Sequence, residues 1–210
     1  MLVKLRVDTA DYASIDAVMM KRCIELSAIA AERGEFPFAA VIVKDGRVVV
    51  ETTNRVTQDA DITRHAELVA ISEAQHTLGR DLSSCALYSN IEPCAMCSFA
   101  IRESGIGRVV YAIDSPMMGG LSKWNVLRDR EISEVMPEAF GGVPEVIAGL
   151  MRQEAEQVWE RSNPVVWAVI KHRGCFGASH DAHSRYLQAV PRRRGMLRVL
   201  ATLYRMWRSA

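Results

Sequence analysis

Residues 87–101 read LYSNIEPCAMCSFAI, a short apolar run followed by a segment with helical spacing. The run CALYSN (85–90) predicts a buried strand, and Pro93 predicts the first turn of the helix that follows it. Cys94 and Cys97 are three residues apart, so at the start of that helix both sulfurs lie on one face. A helix N-terminus lowers thiol pKa values, which favours metal binding by the two thiolates.

The same periodicities, followed outward, predict a chain in which helices and strands alternate. Asp45-Gly46, between two β-branched runs, is a strong hairpin signal. The expected elements are a helix at 11–33, the hairpin, helices at 65–75 and 93–105, strands at 85–90, 107–113 and 144–150, and a helix at 151–162. Residues 117–144 are rich in Gly and Pro and predict a long functional loop that contains a helical turn. This order indicates the α/β class, with a mixed sheet covered by helices on both faces.

A second short motif, His65-Ala66-Glu67, begins the helix at 65–75. His65 with Cys94 and Cys97 provides three protein ligands suited to Zn²⁺ and leaves a fourth position for water. A structural zinc site normally has a fourth Cys or His, but the other three cysteines are isolated in the sequence. Glu67, beside the metal but not on it, predicts a proton shuttle between water and substrate. This spacing is that of zinc deaminases, in which a zinc-bound hydroxide attacks the ring carbon that bears the amine.

The charges of the chain are unevenly distributed. The 210 residues contain 26 Lys+Arg and 25 Asp+Glu, a formal charge of +1, but residues 1–170 carry −7 and residues 171–210 carry +8. Because 24% of residues are charged and 49% are hydrophobic, the composition argues against intrinsic disorder. Five cysteines do not suggest a disulfide framework, and neither a signal peptide nor an apolar run of membrane-spanning length is evident. A cytoplasmic location is therefore expected.

The sequence resembles the zinc-dependent cytidine/deoxycytidylate deaminase superfamily, in its branch of nucleobase, nucleoside and tRNA adenosine deaminases. The resemblance covers about residues 11–160 and lies in five segments: FPFAAVIVKDG, ETTNR, DITRHAELVAI, LYSNIEPCAMCSFAI and IGRVVYAID. It implies a three-layer α/β/α sandwich with a five-stranded mixed sheet, and zinc ligands and a shuttle at the residues named above. It also implies that Asn54 and the backbone N–H groups near Ala66 contact the substrate ring, and that the protein is a homodimer.

Several further residues are candidates for the substrate pocket. Phe38 either stacks on an aromatic substrate or packs in the core. Trp124 and Asn125 lie where relatives place substrate-contacting residues, although a Trp in a Gly-flanked loop can also be an ordinary anchor. Glu92, before the Pro-Cys pair, either orients a neighbouring loop or is solvated.

If the protein is an enzyme, the sequence favours a nucleobase or nucleoside as its substrate, and guanine or a similar free base is the preferred candidate. The alternative is a tRNA adenosine deaminase that uses the basic extension for RNA, since phosphate contacts need positive charge and residues 1–170 are acidic. A non-catalytic zinc-containing binding protein is a third possibility, which the presence of Glu67 disfavours. Ammonia release separates the last from the first two.

The domain prediction is a zinc-dependent deaminase domain at 1–170 and a basic extension at 171–210. Arginines 194, 198, 205 and 208 lie within about 80° on a helical wheel, opposite apolar residues, which predicts an amphipathic helix. Such a helix either packs on the body or a second subunit, or contacts RNA or an anionic membrane surface.

Overall fold

The computed structural model describes the backbone of residues 9–177 and the side chains of residues 14–177. Within that range the order of elements follows the prediction, with one added helix near its end. The strands are β1 (Ala39–Lys44), β2 (Arg47–Thr53), β3 (Cys85–Ile91), β4 (Arg108–Ile113) and β5 (Glu145–Ala148). The helices are α1 (Thr9–Glu32), α2 (Ala66–Leu78), α3 (Ala95–Glu103), α4 (Glu131–Val135), α5 (Arg152–Ser162) and α6 (Pro164–His172), with a 3₁₀ turn at Val126–Arg128.

The five strands form one mixed sheet in the order β2-β1-β3-β4-β5. β1 pairs antiparallel with β2 and β3, whereas β3, β4 and β5 run parallel. The hairpin between β1 and β2 turns at Asp45 and Gly46, whose φ angles of 51° and 71° are the positive values that a two-residue hairpin turn requires. The five-stranded mixed sheet expected from the sequence is confirmed.

Helices cover both faces of the sheet, and the alternation of side chains along β1 shows why. Val41 and Val43 pack with α1, α5 and α6 in one apolar core, while Ala40 and Ile42 pack with α2 and α3 in the other. Because successive strand residues point to opposite faces, one apolar strand contributes to both cores. The result is the three-layer α/β/α sandwich.

The end of the described chain differs in one element from the sequence-based prediction. Helix α6 was not predicted, although its N-terminus carries a recognisable signal: Asn163 Oδ1 accepts a bond from Val166 N at 3.0 Å, and Pro164 occupies the first turn. The helix crosses the predicted boundary at residue 170, and Phe176 packs in the core beyond it. The predicted amphipathic helix lies outside the described residues, so the two-part division stays a prediction. Within the described range no helix is long and apolar enough to cross a membrane.

Candidate metal centre

Two helix N-termini meet at the end of the sheet where β3 terminates, and they bring three metal-ligating side chains together. His65 precedes the first residue of α2, and Cys94 holds the same position before α3, both with extended backbone. Cys97 lies in the first turn of α3 and is fully buried. Strand β3 ends at Ile91, and the chain then enters the first turn of α3 at the site.

The three ligand atoms form a triangle of the size that zinc requires. His65 Nδ1 lies 3.6 Å from Cys94 Sγ and 3.5 Å from Cys97 Sγ, and the two sulfurs are 3.5 Å apart. Tetrahedral zinc with Zn–S and Zn–N bonds of about 2.3 and 2.0 Å separates its ligand atoms by about 3.5–3.8 Å. In the described part of the chain, no further His, Cys, Asp or Glu belongs to this cluster. The donor set therefore fits zinc held by three protein ligands.

The electrostatics of the triangle favour a thiolate at Cys94. Its contact with the Cys97 thiol, with a further contribution from His65, lowers the pKa of Cys94 to about 4 against the opposing effect of burial. The contact with Cys94 raises the pKa of His65. A thiolate rather than a thiol is the metal ligand, so the lowered pKa of Cys94 favours binding of a cation.

Glu67 lies two residues beyond His65, in the first turn of α2, and is only 7% exposed. Burial, followed by the negative charge of Cys94, raises the pKa of Glu67 to about 7. A carboxyl group that titrates near neutral pH can both accept and donate a proton there. The chain thus places an acid–base group next to the three ligands.

Asn54 follows the end of β2 and lies beside the metal motif. Thr52 Oγ1 donates to the carbonyl of Ala66 at 2.8 Å, and Arg55 N donates to the carbonyl of Arg64 at 3.0 Å. The segment 52–55 is therefore bonded to both neighbours of His65. Ala66 is fully buried at the first position of α2, where a backbone N–H has no acceptor within its own helix. Contact of Asn54 and Ala66 with a substrate stays a prediction.

The sequence did not single out Glu35, whose carboxylate accepts from Asn54 Nδ2 at 2.9 Å and from Gln58 N at 2.6 Å. Glu35 is 6% exposed. An acidic residue directly before the apolar run FPFAAVIV was the available signal, because an acid at the entry to a buried strand needs donors to be buried with it.

Glu92 orients the loop that follows β4, the first of the two alternatives that the sequence left open. Its carboxylate accepts from the N–H groups of Ser115, Leu121 and Ser122 at 2.7, 2.9 and 2.7 Å. The same loop is bonded to the metal motif, since Gly120 N donates to the carbonyl of Pro93 at 2.8 Å. Glu92 thus connects the Pro-Cys turn to residues 115–122.

The remaining pocket candidates have different surroundings. Phe38 is half-buried and packs edge-on against Trp159 with ring centroids 5.3 Å apart, the arrangement of the core-packing alternative. Trp124 is 58% exposed, with Lys123 Nζ 5.9 Å from its ring centroid. Asn125 adopts a left-handed conformation, with φ 54°, before the 3₁₀ turn. A substrate contact by any of the three stays a prediction.

Comparison with known proteins places this site in a family. A family model described as the cytidine and deoxycytidylate deaminase zinc-binding region matches residues 13–113. The tRNA-specific adenosine deaminase of Aquifex aeolicus is 35% identical over 127 residues, which are 53% of this chain and 84% of that protein. The chain belongs to the cytidine and deoxycytidylate deaminase family. The family, the deaminase class of enzyme and the zinc cofactor predicted from the sequence are thereby confirmed.

Other proteins that are similar to this chain carry different activity names and differ in length. The guanine deaminase of Bacillus subtilis is 42% identical over 97 residues, 45% of this chain and 62% of that protein. The tRNA(Ile)-lysidine synthase of Deinococcus radiodurans is 36% identical over 141 residues, which are 66% of this chain but only 23% of the relative. The chain therefore spans about a quarter of that relative's length.

A solved structure supports the fold. A protein from a study of A-to-I editing by tRNA:A34 deaminases at the wobble position superposes with a TM-score of 0.60 at 32% identity, covering 67% of this chain and 98% of that one. The deaminase-family sheet and its helices are therefore shared with an experimentally determined structure.

Proposed function

We propose that this chain is a zinc-dependent hydrolytic deaminase of a nucleobase or nucleoside, with guanine or a similar free base as the favoured substrate. The observation that carries the proposal is the buried carboxyl of Glu67, two residues beyond His65 and at the helix N-terminus that faces both cysteines. A small uncharged base needs no phosphate contacts, which suits the formal charge of −7 on residues 1–170. The 42% identity to a guanine deaminase supports the same substrate class.

Zinc, held by His65, Cys94 and Cys97, supplies the Lewis acidity that makes water a nucleophile at neutral pH. Glu67 takes a proton from the attacking water and delivers it to the ring nitrogen next to the amine-bearing carbon. A second proton, from the added hydroxyl, passes through Glu67 to the amine. The C–N bond then breaks, ammonia leaves, and the ring keeps a carbonyl oxygen.

The test is an ammonia-release assay of the zinc-loaded full chain with guanine, cytosine, adenine, their nucleosides and a tRNA anticodon stem-loop. Glu67→Ala retains zinc and loses turnover by about a thousandfold or more, because the proton path is removed. Glu73→Ala, an exposed change on the same helix, keeps wild-type turnover. Full activity of Glu67→Ala contradicts the mechanism. If no substrate of the panel releases ammonia, the alternative of a non-catalytic zinc-containing binding protein is favoured instead.

The second candidate is tRNA adenosine deamination. It is favoured by the position at which the described part of the chain ends. Gly177 N donates to the carbonyl of Asp114 at 3.1 Å, and Ser115 Oγ donates to the carbonyl of Cys175 at 3.3 Å. Ser115 is also bonded to Glu92, two residues before Cys94. The residues after Gly177, with seven arginines and one acid, therefore begin next to the loop that is bonded to the metal motif.

Truncation after Gly177 separates the two candidates. If RNA is the substrate, the truncated protein loses turnover of the anticodon stem-loop, and wild-type turnover falls steeply with salt. If a free base is the substrate, its turnover is unchanged by truncation and depends little on salt. Zinc content serves as the control for folding in both cases.

The proposal includes a homodimer and a cytoplasmic location. Large apolar side chains are exposed on α3 and the loop beside it, with Met96 at 38%, Phe99 at 45% and Met118 at 43% exposure, and a second copy of the chain is the occupant expected there. Sedimentation equilibrium of the wild type and of Phe99→Glu tests the dimer, which the variant weakens. None of the five cysteines forms a disulfide, as suits a reducing compartment.

A further inference from the structure

The side-chain amide of Asn54 is bonded to the protein through its nitrogen only. The residue is 3% exposed, and its Nδ2 donates to Glu35 at 2.9 Å. In the described part of the chain, no protein donor is bonded to its Oδ1. Oδ1 is not among the fully enclosed unpaired polar atoms of the described side chains, so it remains accessible, and an accessible acceptor beside the metal motif can receive a ligand's donor.

Glu35 determines which end of the Asn54 amide is left over. A carboxylate has only acceptor oxygens, and those of Glu35 take the Asn54 amide and the N–H of Gln58, at 2.9 and 2.6 Å. The amide nitrogen of Asn54 must therefore face Glu35, because the opposite orientation would place two acceptor oxygens against each other.

We propose that Glu35 is a positioning residue that fixes the Asn54 amide with Oδ1 available to the substrate, so that the site selects a ring edge presenting an N–H donor. This inference rests on the proposed function, since it specifies how the same pocket recognises its base. Glu35 itself does not touch the reacting atoms; it acts through Asn54. An unpaired donor or acceptor in a buried site costs enough to discriminate between substrates.

Replacement of Glu35 by Gln is expected to reverse the amide. A glutamine has one acceptor oxygen, which the N–H of Gln58 occupies, and its nitrogen then faces Asn54 as a donor. Asn54 satisfies that donor by turning its Oδ1 toward residue 35, which leaves Nδ2 for the substrate. Adding Asn54→Asp to this variant restores an acceptor oxygen on the substrate side, because an aspartate accepts in both directions.

The experiment measures KM and kcat for ammonia release from guanine, or from whichever base of the panel the wild type turns over, with zinc-loaded full-length protein. Glu35→Gln raises KM about tenfold or more with a smaller change in kcat, and Glu35→Gln/Asn54→Asp returns KM to within about threefold of wild type. Asn54→Asp alone is impaired, since two carboxylates would face each other. The exposed Glu32→Gln is the matched control. A wild-type KM in Glu35→Gln, or a double variant no better than Glu35→Gln, overturns the proposal.

A second readout needs no substrate. Hydrogen exchange of the ¹⁵N-labelled Asn54 side-chain amide, assigned by its loss in Asn54→Asp, is slow in the wild type and about tenfold faster or more in Glu35→Gln, where the NH₂ group turns toward the pocket. Equal exchange in the two proteins overturns the positioning role. If the wild type releases ammonia from no member of the panel, the proposed function fails, and the exchange rates alone decide the orientation of Asn54.

Discussion

Arg102 Nη1 donates to the main-chain carbonyl of Val126 at 2.7 Å and to that of Asp129 at 2.6 Å. Its Nη2 bonds Ser133 Oγ and the carbonyl of Gly141. The residue is fully buried on α3, the helix that begins at the two cysteine ligands. One guanidinium thus holds the segment 126–141 against the helix of the metal centre.

Arg102→Met is expected to lower the free energy of unfolding by about 2–4 kcal/mol, because several buried acceptors lose their donor at once. Arg102→Lys keeps a cation and part of the bonding, so its loss is smaller. Chemical denaturation in urea measures both. Arg80→Met, at an exposed position, changes stability by less than about 0.5 kcal/mol, and an equally small effect at Arg102 would contradict the role assigned to it.

Glu92→Gln is expected to lower the free energy of unfolding by about 1–3 kcal/mol. Both carboxylate oxygens face donors from the loop 115–122, so the amide nitrogen of a glutamine meets an N–H or hydroxyl in either orientation. Urea denaturation gives the value, with the exposed Glu103→Gln as control. Equal stability of the two variants would show that the loop does not depend on the carboxylate.

Gly120→Ala is expected to cost about 1–3 kcal/mol of stability and to weaken zinc binding. A Cβ at Gly120 would lie 1.9 Å from Ser98 Oγ and 2.3 Å from Ser98 Cβ, so the loop or α3 must move. Gly142→Ala is the control, since nothing lies within 4 Å of its added Cβ. Thermal denaturation with and without a chelator measures both effects, and matching behaviour of the two variants would disprove the close contact.

Cys94→Ser is expected to lose zinc, because a hydroxyl does not provide a thiolate ligand at neutral pH. A chelator lowers the Tm of the wild type, since a ligand that binds only the folded state stabilises it, but leaves the Tm of Cys94→Ser unchanged. Elemental analysis gives the zinc content. Cys175→Ser, outside the cluster, binds zinc as the wild type does. Full zinc content in Cys94→Ser would remove Cys94 from the ligand set.

Local signals were sufficient wherever a property depends on neighbours along the chain. The Asp45-Gly46 turn, the alternation along β1 and the two helix starts at His65 and Cys94 each follow from side chains a few residues apart. Helix α6 was not predicted although Asn163-Pro164 marks its start, since no element was assigned to residues 163–170. The role of Glu92 stayed open because a single acid before a Pro has no local periodicity that distinguishes a buried from a solvated side chain.

The sequence by itself predicted the α/β architecture, the candidate zinc ligands His65, Cys94 and Cys97 and the neighbouring Glu67, because spacing within helices and strands carries that information. The fold was needed to show that Glu35 meets Asn54, that Glu92 binds the loop at 115–122, that Arg102 is buried against the carbonyls of 126–141, and that Phe38 packs on Trp159. These partners are 19 to 121 residues apart in the chain, so only packing of the sheet and its helices brings them within bonding distance.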